Sequence, residues 1–125
     1  MSNALEGRKV LVVEDESLVA MLLETILEDM GCIPVGPVST VEDGVDKAEN
    51  EPDLALALLD VNVGGHEVFP VADALARRGV PVVFSTGYGE AGLPEKWRGA
   101  SALQKPFSEA AVREAMLRAL GVARV

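Results

Sequence analysis

One cysteine, one histidine, one tryptophan and one tyrosine occur in these 125 residues. Cys32, being alone, excludes an intramolecular disulfide and fits a reducing, cytoplasmic setting. Basic residues are also few. Eleven Lys and Arg stand against twenty Asp and Glu, a formal charge of −9, which argues against a nucleic-acid surface because phosphate backbones need clustered cations. No apolar run approaches a membrane span, and Met1-Ser2-Asn3-Ala4-Leu5-Glu6-Gly7 lacks the charged-then-apolar pattern of a secretory signal. Repeats, linkers and low-complexity tracts are absent. With 49% apolar residues the chain is not disordered. The expected organisation is a short extension over residues 1–7 and one domain over 8–125.

What is present centres on Leu58-Leu59-Asp60-Val61-Asn62-Val63-Gly64-Gly65. The apolar run 54–59 reads as a buried strand that delivers one carboxylate to its carboxyl end, followed by a glycine loop. Similar runs occur at Val10-Leu11-Val12-Val13, which ends in Glu14-Asp15-Glu16, at Val80-Pro81-Val82-Val83-Phe84, which leads to Ser85-Thr86, and over 100–104, which ends at Lys105-Pro106-Phe107. Residues 32–38 contain Pro34 and Pro37, so that strand is predicted at a sheet edge.

Helical spacing separates these runs. Val19, Leu22, Leu23, Ile26, Leu27 and Met30 form one predicted core-facing stripe, closed by Gly31. Ser39-Thr40-Val41-Glu42 reads as a capping box opening a helix to about residue 49. Val68, Val71, Ala72 and Leu75 share a face, with Pro70 in the first turn and Gly79 at the end. Residues 90–99 have weak patterning. Ser108 is predicted to cap a last helix with Val112, Ala115, Met116, Ala119 and Leu120 inward. Five strands alternating with five helical segments predict an α/β, doubly wound, parallel five-stranded sheet of order 2-1-3-4-5 with helices on both faces. Ligands bind such sheets at the strands' carboxyl ends.

That edge collects Glu14, Asp15 and Asp60, then Ser85 and Thr86, then Lys105. Three adjacent carboxylates repel one another, and a hard divalent cation relieves the conflict. A donor set of oxygens alone favours Mg²⁺. With Mg²⁺ on one side and Lys105 on the other, Asp60 is placed to attack a phosphoryl donor while Thr86 donates a hydrogen bond to the transferring group.

The segments Val10-Leu11-Val12-Val13-Glu14-Asp15-Glu16, Leu58-Leu59-Asp60-Val61-Asn62, Phe84-Ser85-Thr86-Gly87 and Lys105-Pro106-Phe107, in that order, resemble the bacterial response-regulator receiver domain over nearly the whole chain. The resemblance implies a CheY-like, flavodoxin-like fold with Asp60 as phosphoacceptor in a two-component phosphorelay. It implies Mg²⁺ held by Glu14, Asp15, Asp60 and the Asn62 carbonyl, Thr86 as switch hydroxyl, Lys105 as phosphoryl-binding cation, and a cis Lys105-Pro106 bond. The implied partners are a histidine kinase or phosphotransfer protein and a downstream protein, with output by protein contact or by draining phosphate rather than by enzymatic turnover.

The sequence departs from the family in two places. The proline common after the acceptor is replaced by Val63-Gly64-Gly65-His66, and the switch aromatic is replaced by Ala102. The run Phe84-Ser85-Thr86-Gly87-Tyr88 is similar to a stand-alone subgroup with a Phe-Ala-Thr-Gly-Tyr signature, several members of which act in stress signalling. This places the expected signal on Tyr88 and its loop.

Plainer roles remain for several of these residues. Glu16 suits the helix dipole, Cys32 a small buried apolar position, and His66 an exposed helix start. Trp97 suits local packing or a partner surface. A receiver-like scaffold that is never phosphorylated is the main alternative. A flavin-binding fold would need a phosphate loop where Glu14-Asp15-Glu16 stands, and an aspartyl phosphatase would need an acid at Asn62.

Overall fold

The unbroken apolar runs become a sheet covered on both faces. The computed structural model describes residues 4–87 and 93–121. Strands β1 (Lys9–Val13), β2 (Ile33–Val38), β3 (Leu54–Asp60), β6 (Val82–Thr86) and β7 (Ser101–Gln104) lie parallel in the order β2-β1-β3-β6-β7. A two-strand hairpin, β4 (Asn62–Val63) and β5 (His66–Glu67), accounts for the skipped numbers. Without it the order is the predicted 2-1-3-4-5, and the fold is the flavodoxin-like, doubly wound one.

Successive residues of a strand point to opposite faces. Leu11, Val13, Ala57, Leu59 and Phe84 therefore pack under α2 (Val41–Asn50) and α3 (Phe69–Arg77). Val10, Val12, Leu56, Leu58 and Val83 pack under α1 (Ser17–Asp29) and α4 (Glu109–Ala119). Gly44 lets α2 lie close to the sheet, since a Cβ there would sit 2.9 Å from a Val71 methyl and 3.3 Å from one of Val13.

Register sets the level of the candidate residues. Val13 pairs with Leu59, Asp60 with Ser85, and Thr86 with Gln104. The residues after β1 and β7 thus emerge beside the end of β3.

Several elements differ from expectation. The α1 stripe is rotated. Ala20, Leu23, Ile26, Leu27 and Met30 are buried and Val19 is half-buried, while Leu22 is 46% exposed beside Leu18 at 81% and Met21 at 61%. Burying small Ala20 turns Leu22 outward. The cap of α2 is Thr40, not Ser39: its hydroxyl accepts from the Asp43 amide at 3.1 Å, which leaves Glu42 and Asp43 in the first turn at the positive end of the dipole.

The fourth strand starts two residues later than predicted, so Ser85 and Thr86 belong to it. As the weak patterning over 90–99 suggests, the described residues there hold a single 3₁₀ turn, Glu95–Trp97. Trp97 packs edge-on against Phe84 with ring centroids 5.4 Å apart. His66 is exposed but lies in β5 rather than at a helix start. Ser108 caps α4 as expected, accepting from the Ala111 amide. In the segment ahead of β1, Leu5 is fully buried, its carbonyl accepts from the buried Cys32 thiol at 3.3 Å, and the Gly7 amide donates to Gly31. No described helix is long and apolar enough to cross a membrane.

Candidate functional site

At the carboxyl edge, β1 ends into Glu14 and Asp15, and β3 ends on Asp60. One oxygen from each of these acids lies within 4.8 Å of the others. Glu14 is 2% exposed and Asp60 8%, whereas Asp15 faces solvent. Lys105, just past β7, is brought in by its own amide, which donates to the Thr86 carbonyl at 3.0 Å. Its ammonium lies 3.2 Å from Asp60 Oδ2, 3.4 Å from Glu14 Oε1 and 3.7 Å from Glu16 Oε1. The Lys105-Pro106 bond is cis. Thr86 and Ser85 are buried at the end of β6, and Asn62 is exposed two residues beyond Asp60.

Backbone amides complete the arrangement. The Glu16 amide donates to Glu14 Oε2 at 3.2 Å, the Asn62 amide to Asp60 Oδ1 at 3.4 Å, and the Gly64 amide to Asp15 Oδ2 at 2.9 Å. Glu16 occupies the N-cap position of α1, but its side chain makes no capping hydrogen bond; its carboxylate faces Lys105 instead.

The electrostatics are unbalanced. Burial, with the hydrogen bond and negative charge of Asp60, pushes the Glu14 carboxyl up from 4.5 to about 7; the Glu16 amide and Lys105 oppose this only in part. Burial alone would lower the Lys105 ammonium, but the charges of Asp60 and Glu14 outweigh it and hold it above its usual value. Among the described residues, buried Glu14 Oε1 lies 3.4 Å from the Lys105 ammonium and meets no hydrogen-bond donor in good geometry. A desolvated oxygen of that kind needs a positive partner. A divalent cation among Glu14, Asp15 and Asp60 would supply one, so the donor set fits the expected ion.

The comparisons with known proteins agree with this arrangement. The response regulator receiver domain profile matches residues 10–117.

The chain belongs to the response regulator receiver domain family.

Among solved receivers, SdrG of Sphingomonas melonis Fr1 is 42% identical, with a TM-score of 0.81 over 98% of this chain and all of that one. A BeF3-activated conformation of SdrG matches at 42% identity and a TM-score of 0.76, over 90% of this chain and 95% of that one. PhyR of Methylorubrum extorquens, the phyllosphere-induced regulator, is 35% identical over 90% of this chain and 43% of its own length. The transcriptional regulatory protein PdtaR of Mycobacterium tuberculosis is 34% identical over 86% and 54%. The chain spans about half the length of these two curated relatives.

The chain is thus a receiver domain of the kind found in response regulators of two-component signalling. The six residues predicted for the site, Glu14, Asp15, Asp60, Asn62, Thr86 and Lys105, all lie at one edge of the sheet. Ala102 pairs with Phe84 across β6 and β7, and no ring stands at that position. Tyr88 lies outside the described residues. Sequence reasoning missed the Gly64 amide on Asp15. Its signal was readable, because two glycines between short β-compatible pairs mark a two-residue hairpin.

Proposed function

We propose that this receiver accepts a phosphoryl group on Asp60 from a phosphohistidine of a histidine kinase or phosphotransfer protein. A carboxylate oxygen of Asp60 attacks phosphorus, the phosphorus–nitrogen bond breaks, and the histidine ring keeps the electron pair and takes a proton. The product is an acyl phosphate. Lys105 pairs with the incoming oxygens, and Thr86 donates a hydrogen bond once they arrive. Glu14, Asp15, Asp60 and the Asn62 carbonyl would hold Mg²⁺, which neutralises charge on the transferring group when bound. Water attack on phosphorus returns the free aspartate, and the Asn62 side chain stands where it can influence that rate.

The observation that carries this reading is the convergence of Glu14, Asp15 and Lys105 on Asp60, with one buried Glu14 oxygen lacking a hydrogen bond. The BeF3-activated form of SdrG, at 42% identity, supports it. The added charge, near −2 at neutral pH, then biases the switch. In this reading the receiver passes its signal on through its own surface. It acts in the cytoplasm by contact with a downstream protein or as a phosphate sink, and it is not a turnover enzyme.

Beryllofluoride with Mg²⁺ tests the reading. Trp97 rests on Phe84, the residue before Ser85 and Thr86, so its fluorescence is expected to change in the wild type and not in Asp60→Asn. Equal responses in both proteins would refute Asp60 as acceptor.

A further inference from the structure

The three acids are not held alike. Glu14 is fixed by burial and by the Glu16 amide, and Asp60 by burial, Lys105 and the Asn62 amide. Asp15 faces solvent, and the hydrogen bond that steers it comes from 49 residues away, from the turn of the β4–β5 hairpin: Gly64 N–H donates to Oδ2 at 2.9 Å. That turn exists because Gly64 and Gly65 both take left-handed backbone angles, φ +58° and +83°. Two such residues joining paired strands make the mirror-image turn that matches strand twist.

We propose that this hairpin is a positioning element for Asp15. The Gly64 amide holds the carboxylate turned toward Glu14 and Asp60, and so sets the affinity of the pocket for a divalent cation. The proposal rests on the reading of the acid pocket as a metal site. An exposed aspartate left free would have to give up its rotamer freedom on meeting the ion; one already held does not. The amide engages Oδ2, and a carboxylate keeps acceptor capacity beyond that one bond. Partners of this kind, which orient a ligand without touching the metal, are worth about 10- to 100-fold in affinity. By linkage, an ion on Asp15 must in turn act on the hairpin.

Gly64 is the position to change. Nothing lies within 4 Å of a Cβ built there, so a substitution acts through the backbone angle rather than by collision. Valine is excluded from the left-handed region, whereas asparagine before glycine suits this turn. Mg²⁺ alone is titrated by calorimetry into wild type, Gly64→Val and Gly64→Asn, with thermal unfolding followed in parallel. The expected result is about a tenfold or greater loss of affinity in Gly64→Val with the melting temperature little changed, and wild-type affinity in Gly64→Asn. In the wild-type ¹H–¹⁵N spectrum the Gly64 amide is expected to move as Mg²⁺ is added, a readout that needs no variant. Wild-type affinity in Gly64→Val, or a Gly64 amide indifferent to Mg²⁺, overturns the proposal and leaves the acid pocket standing. A wild type that binds no Mg²⁺ overturns both.

Discussion

Without a divalent cation in the acid pocket, Glu14 keeps a proton at pH values where an ordinary glutamate has lost it, and stability must follow. Its carboxyl rises from 4.5 to about 7 on folding, chiefly through burial. At ~1.4 kcal/mol per pH unit this amounts to about 3 kcal/mol. Because the folded value lies above the unfolded one, the proton favours the folded state. The contribution is complete below about pH 4.5 and is lost as pH rises through 7. The groups facing Glu14 are Asp60, Asp15, Lys105 and Glu16. Lys105 is held above its usual value and titrates only in alkali. Glu51 has the opposite sign: the Lys9 hydrogen bond holds its carboxyl low, so its contribution is lost as pH falls below about 4.5. A window of pH 5 to 8 avoids both. The assay is urea unfolding in chelator across that window, with wild type compared against Glu14→Gln, which has no proton to lose. Relative to the variant, wild type is expected to lose most of the 3 kcal/mol between pH 5 and 8, against a total stability of order 5–15 kcal/mol for such a domain. Saturating Mg²⁺ is expected to abolish the decline. Parallel profiles for the two proteins in chelator would refute the reasoning.

Three further perturbations have defined outcomes. Lys105→Met removes the ammonium 3.2 Å from Asp60, and the rate of labelling by acetyl phosphate is expected to fall about 10²-fold. An unchanged rate would remove Lys105 from the chemistry. Thr40→Ala is expected to cost about 1 kcal/mol in urea unfolding and Ser39→Ala much less, because Thr40 carries the cap of α2; the reverse order would restore the capping box. Gly44→Ala gains up to ~1 kcal/mol of helix propensity. It also puts a methyl against Val71 and Val13 in the core, an overpacking of about 1–3 kcal/mol, so a net loss near 1 kcal/mol is expected in the same assay.

The strands, their order and the acid edge were legible because they depend on local pattern and on the few topologies parallel strands allow. Asp60 and Lys105 could be placed from strand ends alone. The α1 face was misread because Leu22 fits the helical spacing as well as Ala20 does. Only packing against the sheet decides between them, and that is a tertiary property. Thr40 over Ser39 was undecidable for a similar reason, since both carry the hydroxyl a cap needs. The late start of β6 follows from Pro81, which offers its carbonyl to Ala57 but has no amide to continue a ladder. The buried Glu14 oxygen short of a hydrogen bond left no trace in the sequence, because it arises where three separate segments meet.

Mass mapping of the chain after exposure to acetyl phosphate, with Mg²⁺ and with chelator, bears most directly on the central claim. One phosphoryl group is expected, on the peptide containing Asp60, dependent on Mg²⁺ and absent from Asp60→Asn. A chain that stayed unmodified in saturating Mg²⁺, or that carried the group on another residue, would contradict the account.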